Sequence, residues 1–173
     1  CNVLYARLSD SFAVEEVFAP VYARRITWEK NWVFFEHDNR LFCVYETAPN
    51  HLVLELDGES VVNVHRTGNP FPWSGGHRRG GASPVLVGDR WYHWFHGRRG
   101  SDRRYNVGVA AFEDKPPFKL VAQTPDPLLW AGDPGDNYCP VVFPGGAVLE
   151  KGIWKIAMGR NDRLIESAEW DAE

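Results

Sequence analysis

The sequence is short of almost everything that would build a helical protein, a disulfide framework or a membrane span. Helix signals are few. The best segment runs from Ser9 to Phe18, where Asp10 or Ser11 can cap and Glu15 and Glu16 follow. Val14, Val17 and Phe18 suit a strand equally well, and Pro20 ends the run. Residues 1–20 are therefore expected to form a leader strand or a short helix. The tail from Asp162 to Trp170 has room for one helical turn. The cysteines are Cys1, Cys43 and Cys139, an odd number, widely spaced and without a CxxC pair. That pattern argues against both a disulfide framework and a zinc site. Cys43 sits in an apolar run and is expected to be a buried thiol.

Other absences narrow the function. No apolar run approaches the ~20 residues of a spanning helix, so no membrane partner is expected. No signal peptide is visible, which sets a cytoplasmic expectation, while a chain opening on Cys1 rather than Met reads as incomplete at its start. There is no HExxH, no ligand-spaced Cys/His cluster and no calcium loop, and so no expected metal. GxSxG, Walker A and dinucleotide fingerprints are missing too. The formal net charge of −4 gives no global basic field, so nucleic acid is not an expected partner. Arginines do gather locally, at Arg78, Arg79, Arg98, Arg99, Arg103 and Arg104. They form either a solvated loop surface or an anion-binding rim.

What is present reads as strands. At 173 residues, 44% hydrophobic and 24% charged, the chain suits one soluble domain with a real core. Aromatics make up 14%, with eight Trp. Such rings fill β cores and also stack on sugars. Short apolar runs are punctuated by Gly, Pro, Asn and Asp. Trp32–Glu36, a polar turn over His37 to Arg40, and Leu41–Glu46 make a hairpin. His51–Leu56 follows, then Asp57-Gly58 turns into Ser60–His65. After a Gly/Pro loop come Ala82–Val87, the turn Gly88-Asp89, Trp91–His96, Tyr105–Glu113 and Phe118–Gln123. A last group holds Pro140–Leu149, Ile153–Met158 and Leu164–Ala168.

Modules of roughly four strands thus open near Glu29, Arg79 and Tyr138. The fold class is all-β: a partial β-propeller of about three four-stranded antiparallel blades, with modules near 21–66, 79–123 and 138–173 in a single domain. An irregular sandwich is also compatible. The opening strand of each blade would line a central channel.

Three segments in order carry a family resemblance: Trp28-Glu29-Lys30-Asn31-Trp32-Val33-Phe34-Phe35, Arg79-Gly80-Gly81-Ala82-Ser83-Pro84 and Val141-Val142-Phe143-Pro144-Gly145-Gly146. Between and after them stand Tyr92-His93-Trp94-Phe95-His96-Gly97, Tyr105-Asn106-Val107-Gly108, Phe112 to Phe118, and Gly159-Arg160-Asn161-Asp162. Together they resemble the later part of the glycoside hydrolase family 130 superfamily, which includes β-mannoside phosphorylases on five-bladed propellers. The resemblance implies a glycan-processing or glycan-binding protein, with inorganic phosphate as a possible co-substrate and no other cofactor. It also implies that the blades bearing the family's catalytic acid are missing. No residue here is assigned as general acid. A non-catalytic carbohydrate-binding module and a half-propeller assembly protein remain as alternatives.

Candidate ligand-binding residues follow, for sugar or phosphate. Lys30 would hold an anion or a sugar hydroxyl, with Glu29 and Asn31 beside it; the alternative is a Glu–Lys pair that fixes a loop. Arg79 would clamp phosphate or a sugar oxygen, its two glycines letting backbone approach the ligand; the alternative is a tight turn between blades. His96 matches a position that contributes to substrate or phosphate binding in the resembling family. Asn161 and Asp162 match a pair that points into that family's site, though Asn-Asp is also an ordinary turn. Tyr105 is a candidate stacking group, whereas Trp32 and Phe143 suit core packing better. His51 falls one residue from a Pro-His element of the relatives, and His93 reads as a surface or packing residue. Expected partners are a carbohydrate or small anion and a second copy of the chain, paired through open blade edges.

Overall fold

The computed structural model describes residues 3–22, 29–132 and 140–172. These residues form fifteen strands and no helix. The leader is a hairpin, β1 (Tyr5–Leu8) against β2 (Val14–Phe18), so its helical alternative is overturned. Asp10 and Ser11, which read as a helix cap, lie in the connecting turn instead, and Ser9 closes it. The Ser9 hydroxyl accepts from the Ala13 amide, and the Phe12 amide donates to the Ser9 carbonyl. Glu15 and Glu16 then face Arg7 across the hairpin.

The first sheet is a four-stranded meander: β3 (Val33–His37), β4 (Arg40–Glu46), β5 (Asn50–Asp57) and β6 (Ser60–Gly68). Asp38 and Asn39 join β3 to β4 with φ of 50° and 56°. Tight hairpins need that left-handed pair because it matches the strand twist, and Asp and Asn tolerate it best after glycine.

The second sheet is built on β9 (Arg90–Arg98) and β10 (Tyr105–Glu113). Both of its edges are divided. β7 (His77–Arg79) and β8 (Val85–Val87) share one side of β9, and β11 (Leu120–Gln123) and β12 (Leu129–Trp130) share one side of β10. Of the opening strand expected over Ala82–Val87 only Val85–Val87 pairs in the ladder, and a second short piece, β7, precedes it. Gly80 and Gly81 leave the ladder between them, and Pro84 has no amide to donate.

The third sheet is β13 (Val142–Glu150), β14 (Ile153–Arg160) and β15 (Leu164–Asp171). It shows three strands among the described residues rather than four, and its expected opening at Tyr138 lies outside them. The tail is a strand, not a helical turn. Glu166, Ala168 and Trp170 alternate inward along β15, with Ala168 and Trp170 packed on the core.

The sheets are stacked face to face in chain order. Val33, Phe35, Phe42 and Val53 of the first meet Trp91, Phe95, Ala110 and Phe112 of the second. Trp94 and Val107 of the second meet Val142, Trp154, Ile156 and Met158 of the third. On the far side of the first sheet, Trp32, Cys43, Leu52 and Leu54 are covered in part by Val3 and Tyr22 of the leader. Cys43 is fully buried, and burial pushes its thiol pKa up. Successive antiparallel sheets stacked in this way make the chain an all-β partial propeller.

Candidate functional site

The site forms where the second sheet's opening segment touches both neighbours. Asn31 enters β3 with φ of 63°, a conformation Asn accepts more readily than most residues. Its carbonyl lies against Gly80, where a Cβ would overlap it and the Val33 side chain. A Cβ on Gly81 would overlap the Trp94 carbonyl and press on Pro144 of the third sheet. The Arg-Gly-Gly segment is therefore a backbone wedge, and its glycines serve packing between sheets. Arg79, at the end of β7, is left at the surface beside Lys30.

A cleft of about 350 Å³ opens there, lined by Glu29, Lys30, Asn31, Tyr45, Glu46, His77, Arg78 and Arg79 among others. It brings together four of the eight predicted residues: Glu29, Lys30, Asn31 and Arg79. Glu29 is held in place, accepting from the Trp32 indole at 3.0 Å and the Tyr45 hydroxyl at 3.3 Å. Burial, then the Glu29 carboxylate, push the Tyr45 pKa up to about 12, so Tyr45 remains a donor. Neither Lys30 nor Arg79 has an acidic partner within ion-pair distance among the described residues. Arg79 donates to the His77 ring, at 3.4 Å. Burial and Arg79 both lower the His77 pKa, which keeps that ring a neutral acceptor.

His96 lies behind the cleft rather than in its lining. It is 3% exposed, its Nδ1 is 2.6 Å from the Gly80 carbonyl oxygen, and its ring stacks on Tyr105 at 5.5 Å and meets Phe143 at 4.8 Å. Burial, with Arg79, Lys30 and His77 nearby, lowers its pKa to about 4, and only the Gly80 bond opposes them. Neutral His96 thus supports the Gly80 turn that presents Arg79, and Tyr105 is part of that support. Asn161 and Asp162 are not part of the cleft. They form the β14–β15 turn with φ of 53° each, and the Asn161 side chain accepts from the Val141 amide.

The arginine cluster divides in the same way. Arg78 and Arg79 reach the cleft, while Arg99 pairs with Asp102 and lies 4.6 Å over the Trp130 ring. Arg78 is also tied to the Gln123 side chain at 2.9 Å. His93 is not a surface residue; it is 0% exposed. Sequence reasoning missed Tyr45, Glu46 and His77. The first two could have been found from the β3–β4 register, which returns the end of β4 to the start of β3. A larger groove, about 780 Å³, lies between the leader hairpin and the turn end of the first sheet, and holds none of the predicted residues. Its buried carboxylate, Glu55, is already engaged by Arg40 and Asn63. No group of three or more acidic, His or Cys side chains among the described residues is placed to hold a metal.

Comparison with known folds agrees with this architecture. The chain is similar to a β-1,2-mannobiose phosphorylase from Listeria innocua, with a TM-score of 0.66 at 17% identity over 99% of this chain. It covers 54% of that enzyme, and so spans about half its length. Candidate glycoside hydrolases from Parabacteroides distasonis and Bacteroides ovatus each give a TM-score of 0.57 over 83% of this chain, at 16% and 13% identity, with 50% and 48% of their own chains covered. The glycoside-hydrolase-like propeller fold anticipated from the sequence motifs is the fold observed. No protein-family model and no curated protein matches the chain.

Proposed function

We propose that the cleft between the first and second sheets binds a glycan or a small anion, as part of a glycan-processing protein of the mannoside phosphorylase or hydrolase type. The observation that carries this is the placing of two cations, Lys30 and Arg79, on one cleft with neither in an ion pair among the described residues, although Glu29 and Glu46 also line it. Cations left open beside Asn31, Tyr45 and His77 suit a phosphate oxyanion or a ring of hydroxyls. In the phosphorylase form of this reading, inorganic phosphate is the co-substrate that the cations would hold. Asn161 and Asp162, which lie outside the cleft, have no part in this reading.

Calorimetric titration with β-mannosides and with inorganic phosphate tests the proposal. Lys30→Ala and Arg79→Ala should each weaken binding roughly tenfold or more, the loss of one charge-assisted contact. Binding unchanged in both variants sinks the site. A glycan that binds without turnover in the presence of phosphate would select the carbohydrate-binding module over the enzyme.

An assembly reading is favoured by the outer face and edge of the third sheet. Ile165 is 91% exposed, Leu164 58% and Val148 56%. We expect a second copy to cover them, and light scattering should give twice the chain mass. Ile165→Lys should return the chain to a monomer. A monomeric unaltered chain removes this expectation.

A further inference from the structure

The seam between the first and second sheets is apolar except at one end. There, His51 of β5 stands opposite Thr67 of β6. Thr47 directly follows β4, whose last residue Glu46 pairs with Leu52, so Thr47, His51 and Thr67 form the next row across the sheet. From the second sheet, His93 of β9 pairs with Ala110 of β10. Ala110 shares a face with Phe112, whose ring lies 4.9 Å from the His51 imidazole. The two imidazoles therefore enter the same seam from opposite sheets, close enough for His51 to disfavour charge on His93.

Both are buried, at 1% and 0% exposure. Yet both nitrogens of each ring, and the buried hydroxyls of Thr47 and Thr67, have no hydrogen-bond partner among the described residues. Buried polar atoms are almost always paired, so a cluster of unpaired ones marks a bound group. Its chemistry can be read from the inventory. Each neutral imidazole offers one donor and one acceptor, and each hydroxyl offers both. The group they would hold must be small, uncharged, and able to donate and accept at once. A cation fits poorly, because the nearest buried carboxylate, Glu55, is taken by Arg40 and Asn63. A sugar or phosphate is too large for side chains sealed by Phe95 and Phe112.

We propose that this seam is an internal water site, in which one or more waters bridge His51 and Thr67 of the first sheet to His93 of the second, with Thr47 completing the shell. Internal water of this kind needs two to four polar partners, which the row supplies. The two sheets are then joined here through solvent rather than side chain to side chain.

A crystal structure of the unaltered chain, at a resolution that orders solvent, tests this directly. Density for water within hydrogen-bond distance of an imidazole nitrogen from each histidine is the expected result. An empty seam, a direct His–His bond or an anomalous metal peak overturns it. Oxygen-17 relaxation dispersion gives an independent reading. His51→Phe and His93→Phe, if folded by circular dichroism, should each reduce the long-lived water signal. An unchanged signal in folded variants also overturns the proposal.

Discussion

Gly80→Ala and Gly81→Ala are expected to destabilise the chain by about 3 kcal/mol each, toward the upper end of what overpacking costs. In both positions the new methyl meets a backbone carbonyl, Asn31 in one case and Trp94 in the other. A side chain can rotate away, but a carbonyl held in a neighbouring sheet moves only with that sheet. Gly159→Ala is the control. It lies on β14 with nothing within 4 Å of the added atom, and should stay within about 0.5 kcal/mol of the unaltered chain. Denaturant midpoints of the three variants decide the matter. Wild-type midpoints for Gly80→Ala and Gly81→Ala would show that the three sheets do not meet on this segment.

Stability should also fall steeply on mild acidification. Burial lowers the pKa of His51 and His93 to about 3, with His51 and His96 adding to the effect on His93, and lowers that of His96 to about 4. An unfolded chain titrates them near 6.5. Above that pH both states are neutral and no stability is lost. Below it the unfolded chain gains protons that the folded chain refuses, so stability drops as pH falls from about 6.5 toward 4. Each proton contributes about 1.4 kcal/mol per pH unit, so three give a slope near 4. A domain holding about 5–15 kcal/mol should then unfold before ordinary carboxylates titrate fully. Melting at pH 7 and pH 5 tests this, and His93→Leu should flatten the slope by about one proton. A melting temperature unchanged between those pH values would contradict the burial of all three rings.

Much of the fold was legible because turns write themselves into sequence. Asp38-Asn39, Gly58 and Gly88-Asp89 are residues that accept the φ a two-residue hairpin demands, and the strands between them followed. The ends were less legible for a physical reason. Exposed strands such as β2 and β15 carry Glu and Asp, which read as helix or loop, and only pairing with a neighbour makes them strands. Of the predicted site, Glu29, Lys30, Asn31 and Arg79 share one cleft because two sheets bring residues fifty positions apart together. His96 and Tyr105 lie behind it, and Asn161 and Asp162 are elsewhere. The motif around His96 marked its place in the chain but not its burial. Tyr45, Glu46 and His77 escaped notice because their place depends on register and on a loop, not on any pattern of their own.

The stack of sheets has unlike ends. One end is capped by the leader hairpin, itself apolar outside at Leu4, Phe12, Val14 and Val17. The other is the bare outer face of the third sheet, with Val148 and Ile165. Two copies meeting bare face to bare face form a closed pair, and growth stops. Bare face to capped end repeats without limit and gives fibres, as any non-closing head-to-tail contact does. Lys155 and Glu169 stand beside Val148 in register on that face, with Lys155 also paired to Glu150. An antiparallel pair can set Lys155 of each copy against Glu169 of the other, whereas at the capped end Glu15 and Glu16 are already taken up by Arg7. In the pairing proposed above, these two surface charges favour the closed form over the repeating one.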